Sequence, residues 1–114
     1  MIDSREYAKI TEHLNEFCIP KQLLGFDFLV TGISILQNNP DVKITLLYDE
    51  IAKMHNTKAS NVERSIRHAI KCAYDNCMDC KFDTFKRICF TNKKPSNSEF
   101  LKSVTIELIL KEAY

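Results

Sequence analysis

The sequence predicts an all-α fold, a compact bundle of about six helices containing a helix-turn-helix. Three observations lead there. Only two glycines occur in 114 residues, too few for the many tight turns of a small β fold. Apolar residues recur at three- and four-residue spacing along most of the chain. A hydrophobic content of 45% beside 27% charged residues is that of a soluble globular protein. The length predicts one domain, residues 1–114, which can bury a core without metal or disulfide staples.

The elements follow in order. Residues 3–17 read as a helix that Asp3 or Ser4 can cap, with Tyr7, Ile10, Leu14 and Phe17 on one stripe. "CIP" ends it, because the residue before Pro20 is pushed out of the helical region. A second helix spans about 21–37, with Leu24, Phe28, Ile33, Ile35 and Leu36 dense enough for a central, buried position. Gly25 and Gly32 fall near one face of it, where a neighbouring helix can approach closely. "QNNPD" is a turn. A third, short helix covers about 43–54, with Ile44, Leu47, Tyr48 and Ile51 inward. After the polar link "HNTKA", a fourth runs from Thr57 or Ser60 to about Asp75. Residues 76–94 are less regular, and "KRICFTN" fits a strand or a short helix. Ser96 or Ser98 can cap a last helix. Phe100, Leu101, Val104, Ile106, Leu108, Ile109 and Leu110 give that helix a wide apolar face.

Composition excludes several classes. The polar start "MIDSREYAK" is no signal peptide, and no apolar run approaches the ~20 residues of a membrane span. A cytoplasmic protein is the expectation. The odd count of five cysteines then reads as reduced thiols. Cys77 and Cys80 form a CxxC, and His68, Cys72 and Cys89 are the other conceivable zinc ligands. No second CxxC or HxxxH pair completes a set, so neither a metal nor any other cofactor is expected. The net charge is only +1, yet it is unevenly spread. Residues 53–94 hold ten basic and four acidic side chains, or +6; the rest hold six and eleven, or −5. Such a dipole can orient a nearly neutral protein on a phosphate backbone.

The fourth helix carries the chemistry. Val62, Ile66, Ala69, Ile70 and Ala73 form one apolar stripe at about 100° per residue. The opposite side presents Asn61, Arg64, His68 and Lys71, flanked by Ser60 and Arg67, with Glu63 nearer the core boundary. These residue types hydrogen-bond to base edges and phosphates: arginine to guanine, asparagine to adenine, glutamate to cytosine. A short helix, a tight polar link and such a helix make a candidate helix-turn-helix over about 43–75. The bland alternative is a solvated face. Glu63–Arg67 and Arg64–His68 have the spacing of ordinary surface pairs, and Glu63 can complete a capping box with Ser60.

The stretch "LYDEIAKMHNTKASNVERSIRHAI", with "KPSNSEF" some 25 residues later, closely resembles the DNA-binding effector domain of the stage-zero sporulation response regulators. The order "IAK", "NT", "AS", "VER", "IRHAI" is shared, and "KPSNSEF" differs by a serine for a threonine. "YAKITEHLNEFCIPKQLLGFDFLVTGISIL" is similar to the family's opening helices, with "CIP" where the family has "GIP" or "GVP". The resemblance covers nearly the whole chain. It implies a six-helix domain with a helix-turn-helix in a transcriptional regulator. Its recognition helix enters the major groove of double-stranded DNA to read a short box. Carried over position by position, Glu63 and Arg64 face bases. Ser60, Arg67, His68 and Lys71 are candidates for phosphate or base-edge contacts. RNA polymerase and a second copy on tandem sites are further candidate partners.

The chain also departs from the family. Asn61 stands where arginine is usual, the segment "QNNPDVKITL" is tighter, and residues 75–92 have diverged. The 114 residues hold no phosphoacceptor receiver domain of the family's kind. The chain therefore reads either as an excised effector domain or as a stand-alone paralogue under different control, with the Met1 start and the divergence leaning to the second. Two other classes compete with DNA recognition. One is an interaction module that modulates a full-length sporulation regulator or RNA polymerase without reading DNA. The other is a metal or redox sensor built on Cys72, Cys77, Cys80 and Cys89. No nucleophile–base set, phosphate-cradling glycine loop or catalytic carboxylate pair stands out, so no enzymatic activity is expected.

Overall fold

The computed structural model describes residues 3–76, 84–88 and 93–113. Its helices are α1 (Ser4–Glu16), α2 (Leu24–Asn38), α3 (Ile44–Met54), α4 (Ala59–Asp75), a short segment α5 described over 84–86, and α6 (Asn97–Ala113). No strand occurs among the described residues, so the fold is the six-helix all-α bundle that the sparse glycines imply. The start of "KRICFTN" continues a helix into a turn; its end, with Cys77, Cys80 and Cys89, lies outside the described residues.

Helix α1 opens on Asp3, whose carboxylate accepts from the Arg5 N–H at 2.9 Å and satisfies one of the orphan donors of the first turn. It ends at Glu16, the residue whose carbonyl the Pro20 ring would strike if the helix continued. Cys18 adopts φ 58°, its N–H bonds to Asn15 O, and the Ile19 N–H bonds to Leu14 O. This is a Schellman termination, with the left-handed residue just past the helix end. Buried Ile19 and Leu14 supply its customary apolar contact. Tyr7 does not join the stripe. It is 46% exposed while Ile10, Leu14 and Phe17 are fully buried, because it lies on the edge of α1 turned away from its neighbours.

Helix α2 is central and packs against α1, α3, α4 and α6. It starts at Leu24 rather than 21, since Pro20 and Leu23 close a turn first (Leu23 N–H to Pro20 O, 3.3 Å). Leu24 was expected inward but is 67% exposed at the first residue of the helix. The two glycines mark the close approaches. A Cβ on Gly25 would lie 2.2 Å from the Ser65 carbonyl oxygen and 2.7 Å from the Ala69 Cβ, so α2 and α4 cross with backbone against backbone. A Cβ on Gly32 would meet only side-chain tips, Ile51 Cδ1 at 3.1 Å and Leu101 Cδ2 at 3.2 Å.

The core is closed by aromatic rings. Phe17 meets Phe85 and Phe100 edge-on at 5.3 and 5.2 Å, and Tyr74 meets Phe85 at 5.3 Å, the offset geometry that ring quadrupoles favour. The far side of α1 and α6 is held by charge. His13, 4% exposed, lies 2.8 Å from Glu107. Arg87 bridges Glu107 at 3.1 Å and Glu16 at 3.3 Å while stacking over the Phe17 ring. Burial works against ionising Glu107, but hydrogen bonds from Arg87 and His13 outweigh it and hold the carboxyl below its usual range. The wide apolar face predicted for α6 is only half buried. Phe100, Leu101, Val104 and Leu108 pack inward, whereas Ile106, Ile109 and Leu110 lie on the outer side and are exposed. The apolar residues go round the helix rather than along one stripe.

Candidate nucleic-acid interface

Helices α3 and α4 are joined by four residues, His55–Lys58. The turn repeats the device that ends α1. Asn56 takes φ 54°, its N–H bonds to Lys53 O at 3.4 Å, and the Thr57 N–H bonds to Ala52 O at 2.9 Å. Asparagine tolerates this left-handed conformation better than most residues. His55 fastens the turn to α2: its Nε2 lies 2.8 Å from Thr31 Oγ1 and its ring meets Phe28 edge-on at 5.0 Å. The result is a helix-turn-helix whose connection is tied to the central helix.

Helix α4 is seated by the stripe read from its spacing. Val62, Ile66, Ala69, Ile70 and Ala73 are all buried. Burying Val62, Ile66 and Ile70 contributes roughly 1.5–3 kcal/mol each. The helix begins at Ala59 after Lys58, with no side-chain cap, so Ser60 is not its cap and Glu63 closes no capping box. Its first N–H groups are left without a side-chain acceptor, which makes this end attractive to anions.

The outer side then carries the predicted residues. Arg64, Arg67, His68, Lys71, Ser60 and Asn61 are exposed, and Glu63 is half-buried. Arg64 stands at the crest, with no hydrogen bond or ion pair among the described residues. It does not pair with His68, whose ring instead lies beside Cys72 (Nε2 to Sγ, 3.5 Å). The other spacing does produce a pair, Arg67 Nε to Glu63 at 3.1 Å. Lys71 donates to Asp75 at 2.6 Å, and that hydrogen bond raises the lysine pKa. Asn61 donates from Nδ2 to Thr57 Oγ1 at 3.1 Å, which leaves its amide oxygen free to accept. Asn61, Arg64, His68, Lys71, Ser60 and Arg67 are thus brought to one surface, and Glu63 to its margin.

A groove runs along each flank of α4. One, about 510 Å³, lies between it and the start of α2, lined by Leu23, Leu24, Gly25, Arg64 and His68. The other, about 310 Å³, lies between α3, α4 and the start of α6, and includes Tyr48, Glu63, Arg67, Lys94 and Asn97. The second groove holds residues that periodicity did not single out. Asn97 Nδ2 donates to the Tyr48 hydroxyl at 3.1 Å and to the Glu63 carbonyl at 3.0 Å. Burial is the main cause that raises the Tyr48 pKa. The sequence signal for this groove was the block "KPSNSEF", whose Ser96 and Glu99 form a reciprocal capping box for α6 (3.1 and 3.2 Å). Cys18 and Cys72 are free thiols.

A helix-turn-helix set on a helical core, with a cationic, polar outer helix, defines a DNA-binding domain of the transcription-factor kind. Residues 10–108 match the family described as "Sporulation initiation factor Spo0A C terminal". The chain belongs to that family, and at family level it is a DNA-binding regulatory domain of a sporulation initiation factor. No described helix is long and apolar enough to cross a membrane.

Proposed function

We propose that this protein is a sequence-specific transcriptional regulator that lays α4 in the major groove and reads a short box. In this reading residues 1–114 act as one domain, with the helix-turn-helix over about 43–75. Arg64 reads a guanine, Asn61 offers its oxygen to an adenine amino group, and Glu63 receives a cytosine amino group. Ser60, Arg67, His68 and Lys71 contact phosphates or neighbouring base edges. The observation that carries this is Arg64: an exposed guanidinium without a hydrogen-bond or ion-pair partner among the described residues, diametrically opposite the buried stripe that fixes the helix. The protein acts in the cytoplasm, without enzymatic chemistry of its own. A second copy on a tandem site and RNA polymerase are its proposed protein partners.

The test is selection of bound sequences from random duplex DNA by the purified protein, followed by gel shift on the selected site. A short recurring box, lost on substitution of its guanine, is the expected result. A second reading, an interaction module without base recognition, is favoured by Ile106 and Leu110, which stand more than half exposed on α6. Failure to select any sequence would favour it.

A further inference from the structure

Asn97 occupies a junction that DNA contact alone does not explain. It is the first residue of α6, yet its side chain serves the two helices of the helix-turn-helix. The amide nitrogen has two hydrogens. One reaches the Tyr48 hydroxyl on α3 at 3.1 Å; the other is shared between two Glu63 acceptors, chiefly the backbone carbonyl on α4 at 3.0 Å. The same nitrogen stands 3.5 Å from Glu63 Oε2, and the Glu63 carboxylate in turn holds Arg67 Nε at 3.1 Å. A chain of contacts therefore runs from the start of α6 through Glu63 to Arg67, along one edge of the outer face of α4. The opposite edge, with Arg64, Asn61 and His68, makes no hydrogen bond or ion pair with it among the described residues. A half-buried glutamate and an exposed arginine still have several rotamers each, and a base contact needs one. The Asn97 amide favours the Glu63 rotamer that lies toward α6, and Glu63 draws Arg67 to the same side.

We propose that Asn97 is a positioning residue that sets base-pair preference at the Glu63–Arg67 edge without touching DNA. This rests on the reading of α4 as the base-reading helix. Losing the amide leaves the fold and the Arg64 edge in place and frees Glu63 and Arg67 to sample other rotamers. Discrimination at the base pairs facing that edge then falls by about tenfold, within what one good base contact supplies. Asn97→Asp is the sharper variant, since it sets a like charge beside Glu63; Asn97→Ser is the milder one, should the first fail to fold.

The experiment selects bound sequences with wild type, Asn97→Asp, Asn97→Ser, Glu63→Ala and Arg64→Ala, and follows each melting temperature. The expected result is that the Asn97 variants lose preference at the positions that Glu63→Ala also loses, and keep those that Arg64→Ala loses. The double variant Asn97→Ser/Glu63→Ala should lose no more than Glu63→Ala alone, as members of one network do. A uniform weakening on all sequences with preferences unchanged would overturn the proposal, and so would additive losses in the double variant. A wild-type protein that selects no sequence would instead overturn the base-reading assignment on which the proposal stands.

Discussion

Replacing Gly25 with alanine tests the crossing on which α4 rests. The new Cβ would lie 2.2 Å from the Ser65 carbonyl oxygen, 2.9 Å from the Ser65 carbonyl carbon and 2.7 Å from the Ala69 Cβ. Carbon–oxygen contacts in proteins settle at about 3.3 Å or more, so the helices must separate by about 1 Å. Neither obstacle can rotate aside, because one is backbone and the other a Cβ. Overpacking of this kind costs about 1–3 kcal/mol, occasionally more. Alanine regains up to ~1 kcal/mol of helix propensity over glycine, and less here, at the second residue of α2. A net loss of about 2 kcal/mol corresponds to a fall in Tm of roughly 10 °C for a chain this size. Gly32→Ala is the internal control. Its Cβ meets the flexible tips of Ile51 and Leu101 at 3.1 and 3.2 Å, which yield by a few tenths of an ångström, and the propensity gain offsets that. Thermal and urea melts of both variants decide the matter. A Gly25→Ala protein as stable as wild type, or a Gly32→Ala protein less stable than Gly25→Ala, would refute the backbone-to-backbone crossing.

Four further outcomes are expected. Arg64→Ala should abolish preference for the selected site, removing about 1–3 kcal/mol of discrimination, while Tm stays near wild type; full preference retained in gel shifts would unseat the assignment of α4. Asn61→Arg gives up only an exposed bond to Thr57, adds a cation, and should raise affinity and shift preference toward guanine; identical selected sites for both proteins would place residue 61 outside the groove. Cys18 holds φ 58°, which costs a non-glycine residue roughly 1–2 kcal/mol, so Cys18→Gly should raise Tm by several degrees, and a lower Tm would show that packing of the thiol outweighs the backbone. Glu107 has a depressed pKa in the folded state through Arg87 and His13, so its stabilisation is complete above the ordinary glutamate range and is lost as pH falls through the folded value; the acid side of the Tm–pH curve should flatten in Glu107→Gln, and an unchanged slope would count against this clamp.

Much of the fold was legible because it rests on local periodicity. The α4 stripe, the inward residues of α3 and the central place of α2 all follow from three- and four-residue spacing, which packing here obeys. The close approach at Gly25 was legible as well, since a glycine among dense apolar residues has few other uses. What escaped depends on partners distant in sequence. Leu24 and Ile106 are as hydrophobic as their buried neighbours, and only the paths of α4 and α1 decide which of them meets solvent. The end of α1 was assigned to Pro20, and the left-handed Cys18 that completes the termination takes a conformation that side-chain chemistry rarely announces. At the interface, the outer residues of α4 could be listed from the helical wheel. Asn97 could not, because its link to Glu63 spans 34 positions and has no period.

The left-handed Asn56, with His55 anchored on Thr31 and Phe28, has a thermodynamic consequence for any ligand of α4. The turn is already folded around its hydrogen bonds, so docking orders side chains rather than backbone. At this turn, association proceeds as between rigid bodies, and the turn adds no coupled-folding contribution to the heat-capacity change of binding. The entropy of assembling the helix pair is spent when the chain folds, and none of it is subtracted from affinity when the pair meets its target.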